Sequence, residues 1–431
     1  MNSSPMISQL LKLDTFSSVI TLLILFISFT VQKFAFNYLK GEKDQWKFYL
    51  SCNIITVASI ILVSADSFRL FAFTLLVANL ALASLIGLKS KWQEGKSSAI
   101  YCLVNFIVAF IFLFIAIEII KIDSISTINI VGVSTSSAIL IIAAALIQSA
   151  IFPFHKWLMS SLNAPSPVSA LMHAGLVNGG GIILIKFHNA IFANALIAQI
   201  VFFIAAISTF IALWWMLIRP DIKSTLAAST ISQMGMMIMQ IAAGLIPAAI
   251  THLILHGIYK AYCFLNAGSA LTKNKLEKNK QAQLLNLSIA ALISLGFCSL
   301  ILNISWSNPD SRMLTYLLIF ITSSQITLSI LKEISITRLI TSIFASAIVV
   351  SFYNFLLIFT EKLLETGEYR LNPIDLNPVL VSSLVVFFSF WLTTNLINCK
   401  KLFNNQVLSN LYIKLLNSSN PQNFTISQRK A

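Results

Sequence analysis

The sequence predicts an all-α polytopic membrane protein with about thirteen transmembrane helices, one of them broken, and three observations lead there. Apolar residues fill 57% of the 431 positions, charged residues only 10%, and mean hydropathy is +0.84. A soluble domain carries about 25% charged residues and could not cover its surface with so few. Apolar runs of about 20 residues, the length that crosses a bilayer, recur along the chain. A proline cluster and a run of three glycines then break the pattern of uninterrupted helices at two places.

The expected spans are 15–32, 49–65, 68–88, 99–120, 134–151, 167–186, 194–218, 223–246, 248–270, 284–304, 313–331, 339–359 and 377–397. Met1–Asp14 is polar and weakly charged, without a small-residue cleavage pattern, so the first span reads as retained. Residues 1–397 form a single transmembrane domain, and 398–431 form a cytoplasmic tail. In that tail Leu402, Phe403, Val407, Leu408, Leu411, Tyr412, Leu415 and Leu416 recur at helical spacing. The stripe suits a helix on the membrane surface or on a neighbouring subunit, or plain packing against the chain's own bundle.

The interruptions are Ala150–Pro167, AIFPFHKWLMSSLNAPSP, and the run Gly179, Gly180, Gly181. Backbone freed inside a membrane must be satisfied by neighbouring groups or a wet cavity, and transporters place ion paths beside such breaks. For the glycines, close helix packing is the simpler reading.

Charge placement sets an orientation. One set of connections holds Lys33, Lys40, Lys43, Lys47, Lys89, Lys91, Lys96, Lys156, Arg219, Lys223, the lysines of 273–280, Lys332, Arg338 and the basic residues of the tail. The opposite set holds only Lys12, Arg69, Lys121, Lys186, Arg312, Lys362 and Arg370. By the positive-inside rule the C-terminus is cytoplasmic and the N-terminus outside, in the plasma (inner) membrane of a bacterium. The acidic cluster Glu361, Glu365, Glu368 and Asp375 then faces outward. The net charge of +14 is dispersed over many loops, which excludes a nucleic-acid-binding face. Cys52, Cys102, Cys263, Cys298 and Cys399 are far apart and read as small apolar fillers, without a disulfide, zinc or iron–sulfur pattern.

Ionisable groups inside spans carry the functional signal, because each costs about 2.5–3.5 kcal/mol at a helix centre on insertion scales. His252, His256 and Lys260 follow one another at steps of four, on one helix face. Histidine titrates near neutrality and a buried lysine can be drawn toward it, so such a row suits proton transfer bridged by water. HxxxH is also a metal-pair spacing, but the Glu of a zinc-protease motif is missing and no carboxylate or cysteine nearby completes a site. His173 sits in mid-span beside the glycines, where structural and functional roles are both open. Gln148 and Ser149 end the span before the Phe152–Pro153 break. Glu118 lies near the outer end of its span, within reach of headgroups, and His155 and His188 are expected at the interfaces. No phosphate loop, nucleophile elbow or intramembrane carboxylate pair occurs, so the chain is read as a transporter subunit without catalytic residues, metal or cofactor of its own.

Two stretches then carry a family resemblance. Gln148–Lys186, with FPFHKWL and APSPVSALMHAG, and Asp221–Leu271, with DIKSTLAASTISQMG and HLILHGIYKAYCFLNAGS, resemble the proton-conducting antiporter-like subunits of respiratory complex I and Mrp antiporters. The core signature is 148–271. The resemblance implies a bundle of inverted five-helix repeats with broken helices and a midplane chain of protonatable groups. His173, His252, His256 and Lys260 occupy matching positions, and Gln148 stands where the pumps have a central lysine. Spans 68–88 and 99–120 offer no mid-membrane glutamate to pair with it, and no second broken helix with a Gly-Phe-Phe-Ser-Lys type motif follows Leu271. The chain resembles in particular a shorter branch, the DabB-type membrane subunit of DAB inorganic-carbon transporters, with SFYNFLLIFTEKLL at 351–364 similar to that branch's late aromatic span. That resemblance implies a soluble, zinc-containing, carbonic-anhydrase-like DabA partner on the cytoplasmic face and proton flow coupled to hydration of CO2 to bicarbonate. A cation/proton antiporter or quinone-linked pump subunit, and a non-conducting membrane anchor, are the alternatives.

Overall fold

Helix after helix is built from stretches whose apolar side chains leave the backbone no partner but itself, the condition that selects helices in a bilayer. The computed structural model describes residues 11–89, 92–120, 134–192, 194–269, 280–302, 310–331, 335–364, 378–396 and 406–426. The first half contains α1 (Thr15–Tyr38), α2 (Gln45–Ser64), α3 (Phe68–Ile86), α4 (Gln93–Ile119) and α5 (Thr135–Gln148). The interrupted region follows as α6 (Lys156–Ser160), α7 (Ser166–Ala174), α8 (Gly179–Lys186) and α9 (His188–Phe192). Next come α10 (Ala195–Ile218), α11 (Ile222–Ala242), α12 (Ile246–Leu265), α13 (Lys280–Ile301), α14 (Arg312–Ile330), α15 (Ile336–Leu364), α16 (Pro378–Leu396) and the tail helix α17 (Gln406–Ser418).

Every expected span falls on a helix, with 167–186 falling on the pair α7 and α8. Among the described residues nine helical stretches are long and apolar enough to cross a membrane, Ser166–Lys186 counted as one. Thr135–Gln148, Leu285–Ile301 and Leu380–Asn395 are shorter apolar helices. α11 falls in neither group, because Ser, Thr and Gln side chains dilute its apolar character.

Local chemistry fixes the ends. Asp14, Ser134, Asn194 and Asp221 cap α1, α5, α10 and α11 with side-chain oxygens, each worth about 1 kcal/mol. α5 and α11 stop in the same way. Ile151 N donates to Leu146 O at 3.0 Å and Ala150 N to Ile147 O at 3.1 Å, as Leu245 N does to Gln240 O at 2.9 Å and Gly244 N to Ile241 O at 3.0 Å. This C-terminal motif needs a left-handed residue. α11 uses Gly244 (φ 77), whereas α5 uses Ala150 (φ 54), where a side chain costs about 1–2 kcal/mol. α5 is thus ended deliberately, just beyond Gln148.

The main core joins α1 to α12 and is anchored by Phe71, Phe106, Trp157, Trp215 and Phe264, all fully buried. Trp157 packs edge-on to Phe106 at 4.8 Å and donates its indole N–H to Ile147 O at 2.8 Å. A second, smaller cluster, including Leu287, Phe320, Val350 and Trp391, holds α13 to α16 together. Thr251 and Thr360 hydroxyls, 2.9 Å apart, join α12 to α15 between the two. Outward faces expose Leu22, Phe29, Ile107, Phe203, Phe352 and many like them, the surface a lipid-embedded bundle presents.

The triple glycine answers to packing. A Cβ on Gly180 would strike Ala145 O and Ser149 Oγ, and one on Gly181 would strike Met237. α8 therefore lies backbone-to-backbone on α5 and tight against α11. At one end Lys186 Nζ meets Ala65 O at 3.4 Å and Arg69 pairs with Glu118 at 3.3 Å, so Glu118 has a cationic partner as well as exposure.

At the other end the tail closes over the break. α17 packs on α10, with Tyr412, Leu415 and Leu416 against the main core, so the described part of the stripe covers the chain's own bundle. Arg219 donates to Ser419 Oγ (2.9 Å) and Asn420 Oδ1 (2.8 Å), Trp215 Nε1 to Ser418 Oγ (3.0 Å), and Asn163 Nδ2 to Thr425 O (3.0 Å). His155, expected at the interface, is buried beneath this segment with Nε2 2.9 Å from Ser418 O. His188 is buried too, its Nδ1 3.1 Å from Ile185 O. Leu402, Phe403, the 273–279 lysines, Glu365, Glu368, Asp375 and Cys399 lie outside the described residues.

Candidate functional site

The site begins where α7 stops. At Gly175 the helix turns, and α5 reaches the Leu176 and Val177 carbonyls that follow. Gln148 Nε2 donates to Leu176 O at 3.1 Å and Ser149 Oγ to Val177 O at 3.2 Å. Gln148 is fully buried and also pairs with Asn79 on α3 in a reciprocal amide dimer: Asn79 Nδ2 donates to Gln148 Oε1 at 2.9 Å, and Gln148 Nε2 to Asn79 Oδ1 at 3.1 Å. The partner that sequence reading sought as a glutamate on 68–88 is thus an asparagine, and the pair is neutral on both sides.

The second part lies where α11 packs on α12, which also packs on α7. His252, His256 and Lys260 are buried on α12 as the four-residue steps require, with the His252 and His256 ring centres 6.3 Å apart. His173 on α7 is fully buried, stacked on Phe264 at 4.2 Å, and stands within electrostatic reach of His256 and Lys260. α11 provides the partners. Lys260 Nζ donates to Leu226 O at 3.0 Å and to Ser229 Oγ. His173 Nδ1 lies 3.1 Å from Thr230 Oγ1. His252 Nε2 lies 2.7 Å from Gln233 Oε1, and its Nδ1 3.1 Å from Gln240 Oε1. Lys223, near the start of α11, donates to Ala164 O at 2.9 Å and ties that helix to the loop before α7.

His173, His252, His256 and Lys260 therefore form one group, while Gln148 belongs to a neighbouring amide cluster across the break. Lys260 has oxygens but, among the described residues, no carboxylate beside it. His173 Nε2 and His256 Nε2 are buried without a hydrogen-bond partner among the described residues. Both His252 ring nitrogens face glutamine amides, which leaves that ring no lone pair directed at a shared metal. Sequence reading missed Asn79, Ser229, Thr230, Gln233 and Gln240. A signal existed for the α11 residues: Ser229, Gln233 and Gln240 fall at i, i+4 and i+11, on one face of the helix.

Comparison with known proteins decides the family. Residues 65–341 match the family model described as NADH:quinone oxidoreductase/Mrp antiporter, transmembrane, and residues 5–49 match the complex I chain 5 N-terminus. The chain belongs to this antiporter-like family. Among its relatives is the probable inorganic carbon transporter subunit DabB of Bacillus subtilis, 35% identical over 61% of this chain and 54% of that protein. Another such subunit, from Hydrogenovibrio crunogenus, is 32% identical over 64% of this chain and 55% of that protein. NADH-quinone oxidoreductase subunit L of Buchnera aphidicola is 29% identical over 81% of this chain and 58% of that protein. The chain thus spans little more than half the length of the curated relatives it matches. In fold it is similar to a chain of the Mrp complex from Dietzia, with a TM-score of 0.63 at 19% identity, covering 94% of this chain and 51% of that one.

Proposed function

We propose that this chain is the proton-conducting membrane subunit of an energy-coupled inorganic-carbon transporter. One observation carries the reading: His173, His252, His256 and Lys260 converge inside a membrane bundle with polar partners but, among the described residues, no counter-ion to lock their charge. Groups so placed exchange protons through short water bridges, and the two unpartnered ring nitrogens are where water would join the row. Relatives named as inorganic-carbon transporter subunits support the substrate class.

In this scheme a soluble, zinc-containing subunit docks on the basic, cytoplasmic end of the bundle. There CO2 and water become bicarbonate and a proton, chemistry that needs a metal-activated water this chain does not supply. Proton movement along the row biases that reaction in one direction. Gln148 and Asn79 hold the break open and order water, but a neutral amide pair does not relay charge by changing protonation. The match to subunit L over most of the chain favours a second reading, a cation/proton or quinone-linked pump subunit. Gln148 in place of a lysine suits a third, a non-conducting anchor.

The test is growth in ambient air of cells lacking carbonic anhydrase. Rescue should require both this chain and its soluble partner and should collapse with a protonophore. Rescue by the partner alone, or indifference to the protonophore, would sink the coupled reading.

A further inference from the structure

Gln240 is fully buried, and its amide is half used. Its Oε1 lies 3.1 Å from His252 Nδ1, while its Nε2 has no hydrogen-bond partner among the described residues. On the other side of the ring, Gln233 Oε1 lies 2.7 Å from His252 Nε2. An imidazolium donates from both nitrogens and satisfies both oxygens. A neutral imidazole has one N–H and one bare nitrogen, so one glutamine must then present its NH2. Gln240 is the one with cause to turn. A half-turn of its amide gives His252 Nδ1 a donor and finds a use for the NH2, sparing the desolvation cost of a buried, unmade hydrogen bond. Its oxygen then needs a donor, and the hydroxyl of Tyr353 on α15 lies beside the amide.

We propose that Gln240 is a rotary positioning residue for His252. When the ring is cationic, Nδ1–H donates to Gln240 Oε1 and Nε2–H to Gln233 Oε1. When Nδ1 gives its proton to water, the Gln240 amide turns, its NH2 donates to the bare Nδ1, and Tyr353 donates to its oxygen. No other bond changes. Each protonation cycle at His252 thus carries one amide rotation, and α15 is tied to the row through Tyr353. His256 is the nearest titratable group on the same helix, with Lys260 and His173 beyond it. This switch rests on the proton-pathway reading above.

The test uses the full chain in nanodiscs with 15N-labelled histidine, the His252 signals assigned by loss in His252→Ala. The neutral His252 ring of the wild type should be a single tautomer with its proton on Nε2. Gln240→Met, similar in shape without hydrogen bonds, should give a mixture of tautomers and slow dye-reported proton uptake into proteoliposomes at least tenfold. Gln240→Glu keeps a polar side chain at the site, and its carboxylate can only accept, so it should move the neutral-ring proton to Nδ1. A wild-type ring protonated on Nδ1, or Gln240→Met with wild-type tautomer and flux, would overturn the switch. Wild-type flux in His252→Ala would instead overturn the pathway, and the switch with it, while the tautomer readings identify which of the two has failed.

Discussion

The Gln148–Asn79 amide pair can be tested by a double-mutant cycle whose outcome follows from its geometry. Gln148→Leu keeps the volume roughly constant but leaves the Asn79 amide buried without its partner, while Leu176 O keeps the Gly179 N–H. A stranded group costs about 1–3 kcal/mol, so the variant should lose about that much. Asn79→Leu strands only the Gln148 oxygen, since Gln148 Nε2 still reaches Leu176 O, and should lose about 1–3 kcal/mol. The double variant removes both amides together, and Leu176 O keeps the Gly179 N–H. It should be no worse than Gln148→Leu, giving a coupling energy of about 1–3 kcal/mol, within the range of directly hydrogen-bonded neighbours. Reversible unfolding of the purified chain in mixed micelles measures all three. Losses that add to within about 0.5 kcal/mol would mean that the two amides do not act as a pair.

Gly180→Ala should cost folded protein more than any other single methyl addition in α8, because its Cβ meets the Ala145 carbonyl backbone; size-exclusion recovery after heating reads this. Arg219→Ala removes two hydrogen bonds to the tail, each worth about 1.5–3 kcal/mol for a charged donor, and should speed limited proteolysis within 406–426 while the bundle stays intact. For orientation, a cysteine at Lys414 should be shielded from membrane-impermeant reagents in intact cells and one at Lys362 should react; the reverse pattern would invert the topology argued from lysine and arginine.

The helices were legible because lipid leaves one solution for long apolar runs, and span after span carries the required length. The row on α12 was legible because steps of four survive any uncertainty in helix ends. What the row touches was not. His252 meets Gln233 and Gln240, and Lys260 meets Leu226 and Ser229, through the rotation of α11 against α12, which no spacing within one helix encodes. Asn79 was invisible for a related reason: an asparagine in an apolar span becomes a partner only when α3 and α5 are packed in register. The amphipathic stripe of the tail gave a helix but not its neighbour, since the same stripe serves lipid, a partner subunit or the chain's own α10. The end of α5 at Ala150 carried no glycine to announce the left-handed turn, so the proline after it seemed the whole cause of the break.

The most direct measurement is bicarbonate accumulation by cells that co-express this chain with its soluble partner, comparing wild type with Lys260→Ala, His256→Ala and Gln148→Ala at matched membrane levels. Accumulation should be lost in Lys260→Ala and His256→Ala, as it is on adding a protonophore to wild type, and only reduced in Gln148→Ala. Undiminished accumulation in both Lys260→Ala and His256→Ala would contradict a proton path through this row and leave the chain a membrane anchor for its partner.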